Sequence, residues 1–233
     1  MTRGWFITGT DTGVGKTLVA VALTRAFVAR DLRTAVMKPV AAGWIDTPDG
    51  PRNDDALELL GASNVAAAYE DVNPWLLATP ASPHLAARAD GVTIGHERIL
   101  AAQRKLTVSS DVLIVEGAGG WLAPISATET MADIALRMNE GMELPVILVV
   151  GLRLGCLNHA LLTRAAIRFA GLPFAGWIAN GLATPMEHAR ENIETLSTRF
   201  GRPPLAIVPA GTDPHPSRPP GWAICGAGNL LSH

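Results

Sequence analysis

"FITGTDTGVGKT", residues 6–17, decides how the rest of the chain is read. A short apolar run leads into glycines and then into Gly15-Lys16-Thr17. The usual phosphate-binding loop has four residues between its first glycine and the Gly-Lys-Thr. Here Gly9 and Gly15 have five between them, and Thr10 holds the expected glycine position. The context still fits. Residues 5–8 read as a strand, and residues 16–30 carry apolar positions at three- and four-residue steps, the mark of a helix. Backbone N–H groups at a helix start lack intrahelical partners and attract phosphate oxygens. Lys16 reaches outer phosphates in such a loop, and the Thr17 hydroxyl is placed for Mg²⁺. The alternative is a glycine turn before a core helix. The agreement of strand, loop, Gly-Lys-Thr and helix argues against it.

Outward from that loop, short apolar runs alternate with helical patterns. Strands are expected at 34–40 (ending near Pro39), 111–115, 145–150, 174–180 and 205–209. Helices are expected at 54–61, 94–108, 130–138, 157–170 and 186–200. Residues 62–92 read as irregular, broken by Pro74, Pro80 and Pro83, with a short helix after Pro83. The alternation predicts an α/β fold, a doubly wound and mostly parallel sheet with helices on both faces. The strands are continuous apolar runs, as when both faces are covered. One domain is expected over 1–233, with an irregular tail at 210–233 rich in Pro and Gly.

The bulk properties agree with a compact soluble protein. Of 233 residues, 48% are hydrophobic and 17% charged, enough to bury a core without staples. A formal charge of −2 offers no basic field for nucleic acid or an acidic membrane surface. Cys156 and Cys225 have no metal or CxxC spacing and read as free thiols of a reducing compartment. The histidines show no HxxxH spacing. The start of the chain lacks a secretory apolar region, and "LPVILVVGL" at 144–152 is too short to span a bilayer. A cytoplasmic location is the default expectation.

Three further places carry chemistry. Glu116 ends a strand just before Gly117, Gly119 and Gly120, on the sheet edge where ligands bind. It reads as a metal ligand beside the phosphates, with a helix cap as the alternative. Lys38 ends another strand directly before Pro39. It either snorkels to solvent or holds an anion beside the phosphates, and spacing leaves both open. "GCLNHA" at 155–160 starts a helix whose free N–H groups could bind a carboxylate, although an ordinary cap explains Asn158 as well.

Together these residues resemble one family, the dethiobiotin synthetases of the biotin pathway. The matching segments are "GTDTGVGKT" (9–17), "KPVAAG" (38–43), "RNDDAL" (52–57), "VNPW" (72–75), "SPHLAA" (82–87), "VEGAGGW" (115–121), "LPVILVVGLRLGCLNHALLT" (144–163) and "GWIAN" (176–180). They run in the family's order over about residues 3–210; the tail matches poorly. The resemblance implies a P-loop NTPase-like fold of the deviant Walker A branch, working as a homodimer. It implies an enzyme using ATP, Mg²⁺ and CO₂ (or bicarbonate) to close a ureido ring on 7,8-diaminononanoate. Lys38 would be the catalytic lysine, with Lys16 at the γ-phosphate. Thr17, Asp55 (rather than Asp54) and Glu116 would bind the metal. Gly13, Val14, Gly15, Lys16, Thr17 and Leu18, with Asp55 and Glu116, Gly117, Ala118 and Gly119, would line phosphates and metal. Asn180, with Gly181 after it, would read the adenine edge, and Pro209, Ala210 and Gly211 would close over the nucleoside. The substrate would meet Thr12, Lys38, Ala42 and the helix start at Gly155, Leu157 and Asn158, the last across the dimer.

Two departures accompany the match. Ala42 stands where members often have Ser, which removes a hydrogen bond worth about 0.5–1.5 kcal/mol. Gly13 stands where some members carry Glu, and a missing carboxylate there would loosen discrimination among nucleotides. Two other functions share parts of the pattern. One is a related P-loop amide ligase acting on another substrate. The other is a partitioning-type regulatory ATPase, but such switches carry a second lysine five residues before the loop lysine, and this chain has Asp11 there.

Overall fold

The computed structural model of the chain describes residues 2–212. Most of the expected tail, with Cys225, His215 and His233, lies outside the described residues. In chain order the elements are β1 (Arg3–Gly9), α1 (Lys16–Val28), β2 (Thr34–Met37), β3 (Val40–Ala42), β4 (Ile45–Thr47), β5 (Gly50–Arg52), α2 (Asp54–Ala62), α3 (Tyr69–Val72), β6 (Trp75–Leu77), α4 (Pro83–Ala89), α5 (His96–Val108), β7 (Val112–Glu116), α6 (Met131–Gly141), β8 (Val146–Leu152), α7 (Cys156–Phe169), β9 (Phe174–Gly181), α8 (Ala189–Phe200) and β10 (Ala206–Val208).

Six strands form one sheet in the order β10-β9-β8-β1-β7-β2. Every pairing in it is parallel. Alternate residues along each strand serve opposite faces. Trp5, Ile7, Val112, Ile114, Ile147, Val149 and Ile178 pack with Leu18, Leu23 and Phe27 of α1 and Leu59 of α2. Trp5 stacks on Phe27 with centroids 5.1 Å apart. Phe6, Leu113 and Val115 turn the other way, onto α5 and α6, while Leu148, Val150 and Trp177 meet α7 and α8. Burying one such Leu, Ile or Phe side chain stabilises by about 1.5–3 kcal/mol. The doubly wound α/β architecture follows from that two-sided burial. Among the described residues, no helix is long and apolar enough to cross a membrane.

The expected strand 34–40 is not one strand. β2 stops at Met37, and the chain leaves the large sheet at Lys38-Pro39. Proline has no N–H to continue a ladder and disfavours regular structure before it. β3 then pairs in parallel with β6, as a separate two-stranded sheet. Residues 62–92, expected to be irregular apart from one helix, hold α3, β6 and α4. β4 and β5 form a small antiparallel hairpin that the sequence pattern did not signal. Cys156 is a buried free thiol.

Candidate nucleotide and phosphoryl-transfer site

The sheet register brings the carboxyl ends of the central strands to one level. Ile7 lies opposite Glu116, Gly9 opposite Val149, and Gly151 opposite Asn180. Ligands of open α/β sheets bind at this edge. β1 ends here and passes into the loop 10–15. Gly15 is the N-cap of α1, with φ 87° and no side-chain cap. This is left-handed backbone that favours glycine. A Cβ at Gly15 would also collide with the Asn180 side chain. The helix start is therefore left open, its N–H groups free for an anion.

The loop is tied down from several strands. Asn180, 3% exposed on β9, donates from Nδ2 to the Val14 carbonyl at 2.8 Å. Its Oδ1 is buried without a partner. Asp11 accepts from the Thr12 N–H at 2.7 Å and pairs with Arg153, at the end of β8. The Lys16 ammonium donates to the Asp11 carbonyl at 3.0 Å. Burial pushes Lys16 down to about 8, against the opposing pull of Glu116. Gly13 has φ 72°, and nothing lies within 4 Å of where a Cβ would stand. A carboxylate-bearing side chain would find room there but would adopt left-handed backbone, at about 1–2 kcal/mol.

Beside the loop stands a cluster of charges. Lys38, 4% exposed, places Nζ 2.5 Å from Glu116 Oε1 and 2.7 Å from Asp55 Oδ2. Thr17 donates from Oγ1 to the same Glu116 oxygen at 2.9 Å. Burial alone would lower Lys38, but the two carboxylates hold it above its ordinary value. Burial likewise works to raise Asp55, and Lys38 holds it below the usual carboxylate range. Glu116 is fully buried, and that burial pushes it up in spite of Lys38. Taking charges out of water is costly, so a buried lysine between two acids is weak evidence for a stabilising device. It is a preorganised electrostatic centre.

These placements rule out several of the alternatives. Lys38 does not snorkel to solvent, and Glu116 does not cap a helix. Asp55 accepts from Lys38, whereas Asp54 is exposed. Asn158 does not cap α7: Gly155 is the N-cap, with φ 94°, and no side chain caps it. The α7 start is on the surface, and the Arg153–Asp11 pair links its approach to the loop. Ala42 is half-buried on β3, and Thr12 approaches Gly119. Pro209, Ala210 and Gly211 lie against the end of β9, with Gly181 close to the Ala210 backbone and the Gly211 N–H on Leu182 O at 3.4 Å. A cavity of about 170 Å³ opens there, lined by Leu152, Met186, Ile193 and Pro209.

A far larger cavity, about 1580 Å³, opens at the amino ends of the strands, lined by Arg3, Trp5, Gln103, Met142 and Phe174. Size does not make it the site of chemistry, because the phosphate loop and the charge cluster occupy the opposite end.

Sequence reasoning missed the partners of these residues. Arg153 lies within the matching segment 144–163 but was given no role of its own. Asn53 is the N-cap of α2, accepting from the Ala56 N–H at 3.3 Å; an Asn directly before "DDAL" is a legible cap signal. Tyr69 left no local signal, and Asn73 none beyond membership of "VNPW".

Hard oxygen donors from Thr17, Asp55 and Glu116 suit Mg²⁺, and Glu116 Oε2 is buried without a partner. Among the described residues, no group of three or more His, Cys, Asp and Glu could hold a metal by itself. The set fits an ion that phosphate oxygens help to hold.

Comparison with known proteins places the chain in a lineage. A family model described as an AAA domain matches residues 3–217. By fold the chain is similar to the septum site-determining protein MinD, complexed with Mg-ADP, from Pyrococcus horikoshii OT3. The TM-score is 0.55 at 17% identity, covering 90% of this chain and 82% of that one. It is equally similar to a ParA family ATPase from Chlorobium tepidum TLS, with TM-score 0.55 at 19% identity, covering 100% and 90%. Those likenesses show a P-loop NTPase-like fold alone. Sequence goes further. The ATP-dependent dethiobiotin synthetase BioD of Xanthomonas oryzae pv. oryzae (strain PXO99A) is 48% identical over 88% of this chain and 90% of that protein. The protein of the same name from Vibrio vulnificus (strain YJ016) is 46% identical over 90% of each. With that identity along nearly its whole length, and with the phosphate loop and charge cluster in place, the chain belongs to the ATP-dependent dethiobiotin synthetases.

Proposed function

We propose that the chain carboxylates 7,8-diaminononanoate with CO₂ and closes the ureido ring of dethiobiotin, converting ATP to ADP and phosphate. The observation that carries this reading is the buried Lys38 ammonium, 2.5 and 2.7 Å from two carboxylates beside a phosphate loop. A reaction passing through several anions needs fixed positive charge at such a point.

One substrate amine takes up CO₂ and releases a proton, leaving a carbamate. A carbamate oxygen then attacks the γ-phosphorus of ATP, and ADP departs. The second amine attacks the carbonyl carbon of the resulting carbamic–phosphoric anhydride. Phosphate leaves with the carbon–oxygen bonding pair, the attacking nitrogen gives up a proton to phosphate or water, and the ring is closed. Phosphoryl transfer asks the protein mainly for positioning and charge neutralisation. Lys16 follows the γ-phosphate from the loop, and Lys38 stands over the carbamate. Thr17, Asp55 and Glu116 would hold Mg²⁺, which neutralises phosphate charge when bound. The free Asn180 Oδ1 is available to accept from an adenine amino group, with Pro209, Ala210 and Gly211 closing the nucleoside side. Thr12 and Ala42 face the amines, and Ala42 offers no hydroxyl to them.

The working unit in this reading is a cytoplasmic homodimer of one α/β domain per chain. Leu162 and Phe169 are exposed on α7, at 62% and 96%, and Leu154 just before the helix at 94%. That apolar stripe suits a second copy, which would bring the partner's Gly155, Leu157 and Asn158 to the substrate carboxylate.

The test combines protein, ATP, Mg²⁺, bicarbonate and 7,8-diaminononanoate and follows dethiobiotin by mass spectrometry. Ring product that requires all five components is the expected result. ATP hydrolysis indifferent to the diamine, without ring product, would refute the proposal.

A further inference from the structure

Lys38 lies where the chain leaves the large sheet, so the ladder of β2 no longer holds it. Its backbone is nevertheless fully bonded. The Lys38 N–H donates to Val72 O at 2.7 Å. The Lys38 carbonyl accepts from Asn73 Nδ2, also at 2.7 Å. Asn73 is 2% exposed. Its own Oδ1 accepts from the Tyr69 hydroxyl at 3.2 Å, and that hydroxyl accepts from the Asn53 N–H at 2.7 Å. Asn53 caps the helix whose first turn carries Asp55, and Asp55 accepts from Lys38 Nζ. The bonds therefore close a ring that runs from the Lys38 backbone through Asn73, Tyr69 and Asn53 to Asp55, and back to the Lys38 side chain. Arg52 covers the Tyr69 ring at 4.3 Å.

We infer that Asn73 and Tyr69 are positioning residues for the reaction, fixing Lys38 and Asp55 relative to each other through a closed hydrogen-bonded ring. The inference rests on the proposed role of Lys38. Neither side chain touches the reacting atoms. Asn73 supplies the donor that a neighbouring strand would have given had β2 continued. Tyr69 makes the link to Asp55, because its oxygen both accepts from Asn53 and donates to Asn73. Burial pushes the Tyr69 hydroxyl upward from its ordinary value, so the proton it donates stays on. A carboxamide, with a donor and an acceptor on one planar group, serves Lys38 and Tyr69 at once, which gives the Asn of "VNPW" a physical reason. Small displacements matter here, since a 1 Å error in a reacting geometry costs about 10²-fold in rate.

The experiment is a double-mutant cycle on the full chain, scored by dethiobiotin formation. Asn73→Ala is expected to lower kcat by about 10- to 100-fold with KM for ATP changed less than about threefold, because the phosphate loop is untouched. In a Lys38→Ala background the same substitution should change the residual rate less than about twofold, since the effect passes through Lys38. Tyr69→Phe keeps the ring shape and should fold even if Asn73→Ala does not; a kcat loss of about 3- to 10-fold is expected. Ile99→Val, in the α5 core, serves as the control for lost stability alone and should leave kcat unchanged. A kcat loss in the Lys38→Ala background as large as in the wild type would overturn the inference, as would Tyr69→Phe at full turnover. Ring product from the wild type with either of those results sinks this inference alone. No ring product from the wild type sinks the proposed function, and this inference with it.

Discussion

The phosphate loop and the Lys38 centre stand side by side, yet they are built differently. The loop comes from one contiguous stretch, residues 9–17, and its chemistry is mostly backbone: free N–H groups at a helix start, held open by the conformation of Gly15. The Lys38 centre is assembled from Lys38, Asp55, Glu116 and Thr17, the last two 99 positions apart in the chain, and its chemistry is side-chain charge with one hydroxyl. A backbone site survives most changes around it. A charge cluster depends on every member, because each neutralises a buried neighbour. Binding should therefore follow the loop, and turnover the cluster.

The largest expected effect separates the two. Lys38→Ala should lower turnover on the order of 10²–10³-fold, the scale of losing a preorganised electrostatic group. ATP affinity, measured by calorimetry, should change only a few-fold. If affinity fell as far as turnover, the division between loop and cluster would be wrong.

A middling effect concerns protons on the loop. Lys16 falls from 10.5 to about 8 in the folded, ligand-free protein. Between those values the unfolded chain binds more protons, so stability rises with pH through that window. The Lys16 contribution is on the order of 3 kcal/mol. Thermal melting from pH 7.5 to 10 should show less of this rise in Lys16→Met than in the wild type. Identical pH profiles would mean that the ammonium is not desolvated by the loop.

The smallest effect should come from the tie between loop and α7. Arg153 and Asp11 are both about half exposed, and such pairs contribute roughly 0.2–1 kcal/mol. Arg153→Ala should move stability by no more than that, and less still at high salt. A shift of several kcal/mol would show the loop to be less self-sufficient than its contiguous sequence implies.

The same contrast explains what was legible in the sequence. The loop and α1 were readable because their signals are local: glycines, Gly-Lys-Thr and a helical period. The parallel sheet followed from continuous apolar runs such as "PVILVV". Strand order did not, since alternation of strands and helices says nothing about β1 lying between β7 and β8. Residues 34–40 read as one strand because apolar pattern outweighed the missing N–H of Pro39. β3 and β6, at three residues each, are too short to show a period. Glu116 and Lys38 stood out by their places at strand ends and Asp55 by resemblance, but their 2.5–2.7 Å convergence is a tertiary fact. Tyr69 and Asn73 act through bonds to distant backbone, which leave no local trace.

The position of β1 in the sheet bears on how the protein is made. The strand that carries the phosphate loop leaves the ribosome before either of its neighbours, yet Phe6 pairs with Val115 on one side and Val146 on the other. At about 5–20 residues per second, roughly 7–30 s pass before β8 has been synthesised. Until then the loop lacks at least one of its two flanking strands, and ATP has no complete cradle to enter. Nucleotide can therefore act as a folding ligand only late in synthesis, and the nascent amino-terminal half must stay soluble without it.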